Sequence, residues 1–136
     1  HTRYWRDWSS DVCSSDLMPD HARQAVRACR AMAARFQADP AMRASGVRLR
    51  IGVHSGEVVV GNIGAQSRTS YTVIGDPVNV AARLEQVGKE IDPGAQVIAL
   101  TSAETNDLLD AAERGTPVGS IRLRGREAET DIFRLV

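Results

Sequence analysis

The sequence has few cysteines, no excess of either charge and no long run of apolar residues. Its two cysteines, Cys13 and Cys29, lie in unlike contexts without metal-ligand spacing, which argues against a zinc site or a disulfide. The 17 basic and 17 acidic residues balance, which argues against a nucleic-acid or membrane-surface partner. No apolar run approaches the ~20 residues that a membrane-spanning helix needs. We therefore expect a cytoplasmic protein, and a chain of 136 residues is long enough for one domain with a real core.

The beginning of the chain differs in character from everything that follows it. Residues 1–17 hold both tryptophans and show no sustained helical or strand period, whereas an Ala- and Arg-rich helical pattern begins after Met18 and Pro19. We predict a non-native or disordered leader over residues 1–17, followed by one domain over residues 18–136.

Apolar periodicity and turn residues divide that domain into helices and strands. Apolar residues at three- and four-residue steps predict a helix that starts near Asp20 and stops at Asp39 and Pro40. The β-branched segments 47–53 and 57–63 predict an antiparallel hairpin that turns at residues 54–56. Because no carboxylate or cysteine lies at ligand spacing from His54, we interpret this histidine as structural.

The second half of the chain continues with alternating strands and helices. A strand over 71–74 is expected to run into a helix that has Asp76 as its N-cap and Pro77 in its first position, ending near Lys89. The later pattern predicts a strand at 96–100, a short helix at 102–110, and a terminal hairpin formed by 120–125 and 130–135.

Two polar residues on the helix after Gly75 are the best candidates for chemistry. Asn79 and Arg83 are four residues apart, so they share one helix face and can reach a sugar and a phosphate together. A glycine turn before a helix also lets a ligand approach the backbone closely. These features point to a nucleotide. The alternative is a solvated helix surface in which Arg83 pairs with Glu85 or Glu90.

The sequence resembles a known enzyme family over three segments. They are RIGVHSG at 50–56, VVVGNIG at 58–64 and YTVIGDPVNVAARLE at 71–85. In these segments, and more loosely from about Ala22 to Val136, the chain is similar to the class III adenylyl/guanylyl cyclase catalytic domain. The resemblance implies an α+β fold, a ferredoxin-like βαββαβ cyclase homology domain truncated at its N-terminal strands.

The resemblance also assigns roles to four residues. Asn79 and Arg83 match the catalytic positions at which the family holds the ribose and stabilises charge on the phosphates. Thr72, seven residues before Asn79, matches the position that contacts the purine, and threonine there favours ATP over GTP. Arg124 stands where the family has a phosphate-binding lysine. A strand-filling role for Thr72 and an edge-strand role for Arg124 remain open.

The family uses Mg²⁺ (or Mn²⁺), bound by a pair of aspartates in strands that we do not find in this sequence. We therefore assign no metal ligand in this chain. The family's site forms between two domains. This chain would supply the transition-state half of the site, the helix with Asn79 and Arg83, to a second cyclase domain in a homodimer of the intact protein. It would be inactive alone. The implied function is conversion of ATP to cyclic AMP and pyrophosphate in intracellular signalling. The alternative is a non-catalytic nucleotide-sensing or dimerisation module of a larger regulator.

Overall fold

The computed structural model shows a mixed sheet with helices packed on its faces. It describes residues 19–57, 59–65, 68–123 and 128–136, and of residues 59–65 and 68–74 it describes the backbone. The helices of the described residues are α1 (His21–Ala38), α2 (Pro40–Ser45), α3 (Asp76–Ile91) and α4 (Ala103–Asp107). The strands are β1 (Leu49–Val53), β2 (Val59–Ala65), β3 (Arg68–Ile74), β4 (Val97–Ser102), β5 (Thr116–Arg122) and β6 (Glu129–Arg134).

Two separate sheets account for these strands. The larger is four-stranded, with the order β1-β4-β6-β5. In it, β1 runs parallel to β4, whereas β6 runs antiparallel to both β4 and β5. The smaller is the antiparallel pair of β2 and β3, in which Val59 lies opposite Ile74 and Ala65 lies opposite Arg68. The terminal hairpin predicted from alternation is confirmed as β5 and β6.

The predicted hairpin between segments 47–53 and 57–63 is wrong. In the structure β1 pairs with β4, and β2 turns back on β3, which begins at Arg68. Only two residues separate Ala65 from Arg68, and such a short connection suits antiparallel neighbours. Parallel pairing of β1 with β4 instead needs a long crossover, which the chain provides through α3.

The two long helices cover opposite faces of the larger sheet. Side chains alternate between the faces along β4, so Ile98 and Leu100 pack with α3 whereas Ala99 packs with α1. The α3 cluster consists of buried apolar residues: Val80, Leu84, Val87, Ile98, Leu100, Ile121, Leu123 and Ile132. The α1 cluster is smaller: Ala22, Val26, Cys29, Ala99, Leu109 and Leu135. No helix in the described part of the chain is long and apolar enough to cross a membrane.

The helix boundaries follow the sequence signals closely, with two differences. Asp39 ends α1 as predicted, but its carboxylate also accepts a hydrogen bond from the backbone N–H of Ala41 at 2.9 Å and so caps the unpredicted helix α2. The N-cap of α3 is Gly75, not the predicted Asp76, which is instead the first helical residue. An acidic residue there still interacts favourably with the helix dipole.

Candidate functional site

Helix α3 presents Asn79 and Arg83 beside its buried face and not within it. Its buried residues are Val80, Leu84, Val87 and Gly88. Asn79 is exposed, and the Arg83 side chain is 42% exposed. Because residues four apart on a helix lie one above the other, these two side chains form one polar surface in the first two turns. The Arg83 guanidinium lies 3.7 Å from a carboxylate oxygen of Glu90, so the ion pair considered from the sequence is present.

Strand β1 and the turn after it lie directly beneath this part of α3. A side chain on Gly52 would collide with the backbone carbonyl of Ala81 and would come within 2.9 Å of the backbone nitrogen of Glu85. Gly56 lies equally close to the ring of Pro77, whose Cβ is 3.0 Å from where a Gly56 side chain would begin. The two glycines therefore let β1 and its turn contact the first three turns of α3 without an intervening side chain.

A chain of hydrogen bonds holds the end of that turn to the next strand. His54 Nδ1 lies 2.6 Å from the hydroxyl oxygen of Ser102, at the end of β4. The Ser102 hydroxyl lies 3.4 Å from that of Thr105, which donates to the hydroxyl of Ser55 at 3.0 Å. Ser102 and Thr105 are fully buried, so these contacts are shielded from water. The network joins the carboxyl ends of the two parallel strands and the start of α4.

Sequence reasoning treated His54 as structural but missed its partners. Ser102 is 48 residues further along the chain, and no local pattern connects the two. The one available signal was that two segments predicted as strands, 47–53 and 96–100, are both followed within two residues by serine. That signal becomes informative only once the strands are known to be parallel neighbours, because their carboxyl ends then meet at one edge.

The other two predicted site residues are less well defined by the structure. Thr72 lies in β3 opposite Gly61 of β2, two residues before the strand ends and the chain enters α3. For Thr72, as for all of residues 68–74, the structure describes the backbone alone. Arg124 lies outside the described residues. The structure therefore brings Asn79 and Arg83 together, while the predicted roles of Thr72 and Arg124 stay predictions.

Among the described residues, no three or more His, Cys, Asp or Glu side chains gather in a group that could hold a metal ion. The source of the metal ligands stays a prediction.

Comparison with known proteins identifies the class and then the family. The fold, in which α3 lies against Gly52 of β1, is that of a nucleotide cyclase domain. Residues 11–135 match the family model of the adenylate and guanylate cyclase catalytic domain, and the chain belongs to this family. Adenylate cyclase 1 of Rhizobium meliloti (strain 1021) is 37% identical over 133 residues, which is 95% of this chain and 19% of that protein. The family match begins within the predicted leader, whose boundary at residue 17 stays a prediction.

Solved structures show the same fold. The adenylyl cyclase CyaB from P. aeruginosa is 29% identical with a TM-score of 0.62, covering 87% of this chain and 58% of that one. The guanylate cyclase domain of RhGC from Catenaria anguillulae, solved in complex with GTP, has a TM-score of 0.73 at 22% identity, covering 90% of this chain and 63% of that one. The α+β cyclase fold expected from the resemblance is confirmed. The chain thus spans less than two thirds of each of these relatives.

Proposed function

We propose that this chain is part of a cyclase that converts ATP to cyclic AMP and pyrophosphate in intracellular signalling. The ribose 3′-hydroxyl loses its proton and attacks the α-phosphorus; an O–P bond forms, and the bond to pyrophosphate breaks. Asn79 would hold the ribose while Arg83 stabilises charge on the phosphate oxygens. The observation that carries the proposal is that Asn79 and Arg83 lie one helical turn apart on α3, outside its buried stripe, where both side chains are accessible to a ligand.

ATP, not GTP, is the proposed substrate. The Thr72 hydroxyl would accept a hydrogen bond from the exocyclic amine of adenine. The backbone position of Thr72, near the end of the strand that leads into α3, is compatible with a purine beside a ribose at Asn79. The name of the Rhizobium relative favours the same substrate. Arg124 would add a bidentate contact to a phosphate.

The rest of the site would come from a second cyclase domain. We propose that this partner supplies the ligands for Mg²⁺ (or Mn²⁺), which would neutralise the triphosphate, since the described residues of this chain gather none. The intact protein would be a homodimer, and the chain alone would not turn over ATP. A cytoplasmic location fits the free thiol of the buried Cys29, because thiols persist in reducing compartments.

A complementation assay tests this function. The P. aeruginosa adenylyl cyclase domain, with its own residues equivalent to Asn79 and Arg83 changed to alanine, would be mixed with this chain, ATP or GTP, and Mn²⁺. We expect cyclic AMP from the mixture and from neither protein alone. An Arg83→Ala chain should fail, whereas a Glu85→Gln chain, altered at an exposed position of the same helix, should succeed.

Calorimetric titration of the chain with each nucleotide completes the test. Binding of ATP in preference to GTP, weakened by Arg83→Ala, would support the proposed substrate. Nucleotide binding without product in any mixture would favour a non-catalytic nucleotide-sensing module. Absence of both binding and product would contradict the proposal.

A further inference from the structure

The turn at residues 54–56 contacts both the start of α3 and the carboxyl end of β4. On one side, Gly56 lies against the ring of Pro77 in the first turn of α3. On the other side, His54 and Ser55 are hydrogen-bonded to Ser102 and Thr105. Asn79 is only two residues after Pro77, so the turn contacts the same helical turn that carries Asn79.

The hydrogen bonds of the turn can all point in one direction. If His54 Nδ1 carries a proton and donates it to Ser102, the Ser102 hydroxyl is available to donate to Thr105, and Thr105 donates to Ser55. The Thr105 and Ser55 hydroxyl oxygens then each accept one hydrogen bond, and the Ser102 hydroxyl oxygen accepts from His54 and also from the backbone N–H of Thr105. Because Thr105 donates to Ser55, Ser102 is the donor in its contact with Thr105 and has no second proton for His54, so this arrangement favours the Nδ1-protonated form of His54.

The His54 ring also lies beside the turn itself. Its Nε2 is 3.8 Å from the point where a side chain on Gly56 would begin, which is an ordinary van der Waals distance. The same half-buried histidine therefore contacts β4 through one ring nitrogen and lies beside Gly56 through the other.

We propose that His54 is a positioning residue for the nucleotide site: its hydrogen bond to Ser102 fixes the turn 54–56 against Pro77 and thereby sets the orientation of Asn79. His54 does not itself touch the substrate in this proposal. The consequence for the nucleotide rests on the proposed function, whereas the coupling between His54 and α3 is a property of the fold that can be measured separately.

The first experiment measures that coupling without any nucleotide. In the ¹⁵N-labelled chain, the amide resonances of Val78 and Asn79 report the start of α3. His54→Phe keeps a ring but removes both nitrogens, and His54→Asn places an amide N–H close to the position of Nδ1. We expect the Phe variant to shift both resonances and the Asn variant to return them towards the original positions.

Two further variants keep the result interpretable. Ser55→Ala removes the last acceptor of the network by a small change that the fold should tolerate, and it should shift the same resonances in the same direction. Leu109→Ala opens the α1 cluster on the opposite face of the sheet and should lower the melting temperature while leaving both resonances in place. Unmoved resonances in His54→Phe and Ser55→Ala, or equal shifts in His54→Asn and His54→Phe, would overturn the proposal.

The second experiment adds ATP to the same variants. We expect His54→Phe to bind ATP about tenfold more weakly, because small misplacements of positioning groups are costly. His54→Asn should recover the affinity. Leu109→Ala should bind ATP as well as the original chain does, even if its melting temperature falls as far as that of His54→Phe. If the original chain binds ATP and His54→Phe binds it equally well, the positioning role fails while the proposed function stands. If resonances shift but the original chain binds no ATP, the proposed function fails and only the coupling within the fold remains.

Discussion

The α-carbon of Gly52 in β1 lies against the carbonyl oxygen of Ala81 in α3, with no room for a side chain between the strand and the helix. Both contacting atoms of α3 nearest to Gly52 belong to the backbone, so neither can rotate away to make space. A side chain at position 52 would therefore push away the helix that carries Asn79 and Arg83.

Gly52→Ala should destabilise the domain because α3 must move away from β1 to admit one methyl group. We expect a loss of about 1–3 kcal/mol in the free energy of unfolding, measured by urea denaturation, as is typical of overpacked sites. Gly94→Ala is the matched control: its nearest contact is an ordinary 3.9 Å to the Asp92 side chain, and it should change stability little. Equal stability of Gly52→Ala and the original chain would contradict this close packing.

Arg83→Ala should separate activity from stability. The side chain is 42% exposed and its ion pair with Glu90 lies on the surface, so the free energy of unfolding should change by less than about 1 kcal/mol. Product formation in the complementation assay should nevertheless be lost. Parallel measurements of the urea midpoint and of cyclic AMP would check this, and a large drop in the midpoint would indicate a structural role instead.

Glu90→Gln should strengthen nucleotide binding by removing a competitor for Arg83. Glu90 is 66% exposed and lies 3.7 Å from the guanidinium, so its carboxylate competes with a phosphate for the same cation. Exposed pairs are worth ~0.2–1 kcal/mol, which corresponds to an increase in ATP affinity of up to about fivefold. Calorimetry at low salt would measure it. Glu85→Gln, with the same charge change on the same helix, distinguishes this effect from a general loss of negative charge.

Cys29 should make stability depend on pH at the alkaline end. Burial raises the pKa of its thiol from 9.0 to about 11, with Arg30 offsetting part of the rise. The thiolate is thus disfavoured in the folded state. The contribution of the buried thiol to the free energy of unfolding is therefore fully present below pH 9 and is lost as the pH rises towards 11. The loss should reach about 2–3 kcal/mol.

Urea denaturation at pH 8 and pH 11 would measure this change. Cys29→Ala should show a smaller difference between the two pH values than the original chain, because the alanine variant has no thiol to ionise there. An identical pH dependence in both proteins would show that other groups account for it.

The features that sequence could predict are those specified by neighbouring residues. Helix α3 has glycine, aspartate and proline at its start and an apolar stripe through Val80, Leu84 and Val87, and the spacing of Asn79 and Arg83 is set by the same helical period. The pairing of β1 was mispredicted because it depends on β4, more than forty residues away. The contact of His54 with Ser102 depends on that same pairing, so it too could not be read locally.

The position of β6 in the sheet has a consequence for the order of events during synthesis. It is the last of the described strands along the chain, yet it lies between β4 and β5, and backbone hydrogen bonds continue beyond it between Leu135 and Ala99 and between Ala99 and Val136. A ribosome delivers residues in sequence order, so β4 leaves the exit tunnel with one edge unpaired and part of its apolar surface uncovered. The edge of β4 therefore stays unpaired until β6 has been synthesised, and during that interval it is open to chaperones and to other nascent chains.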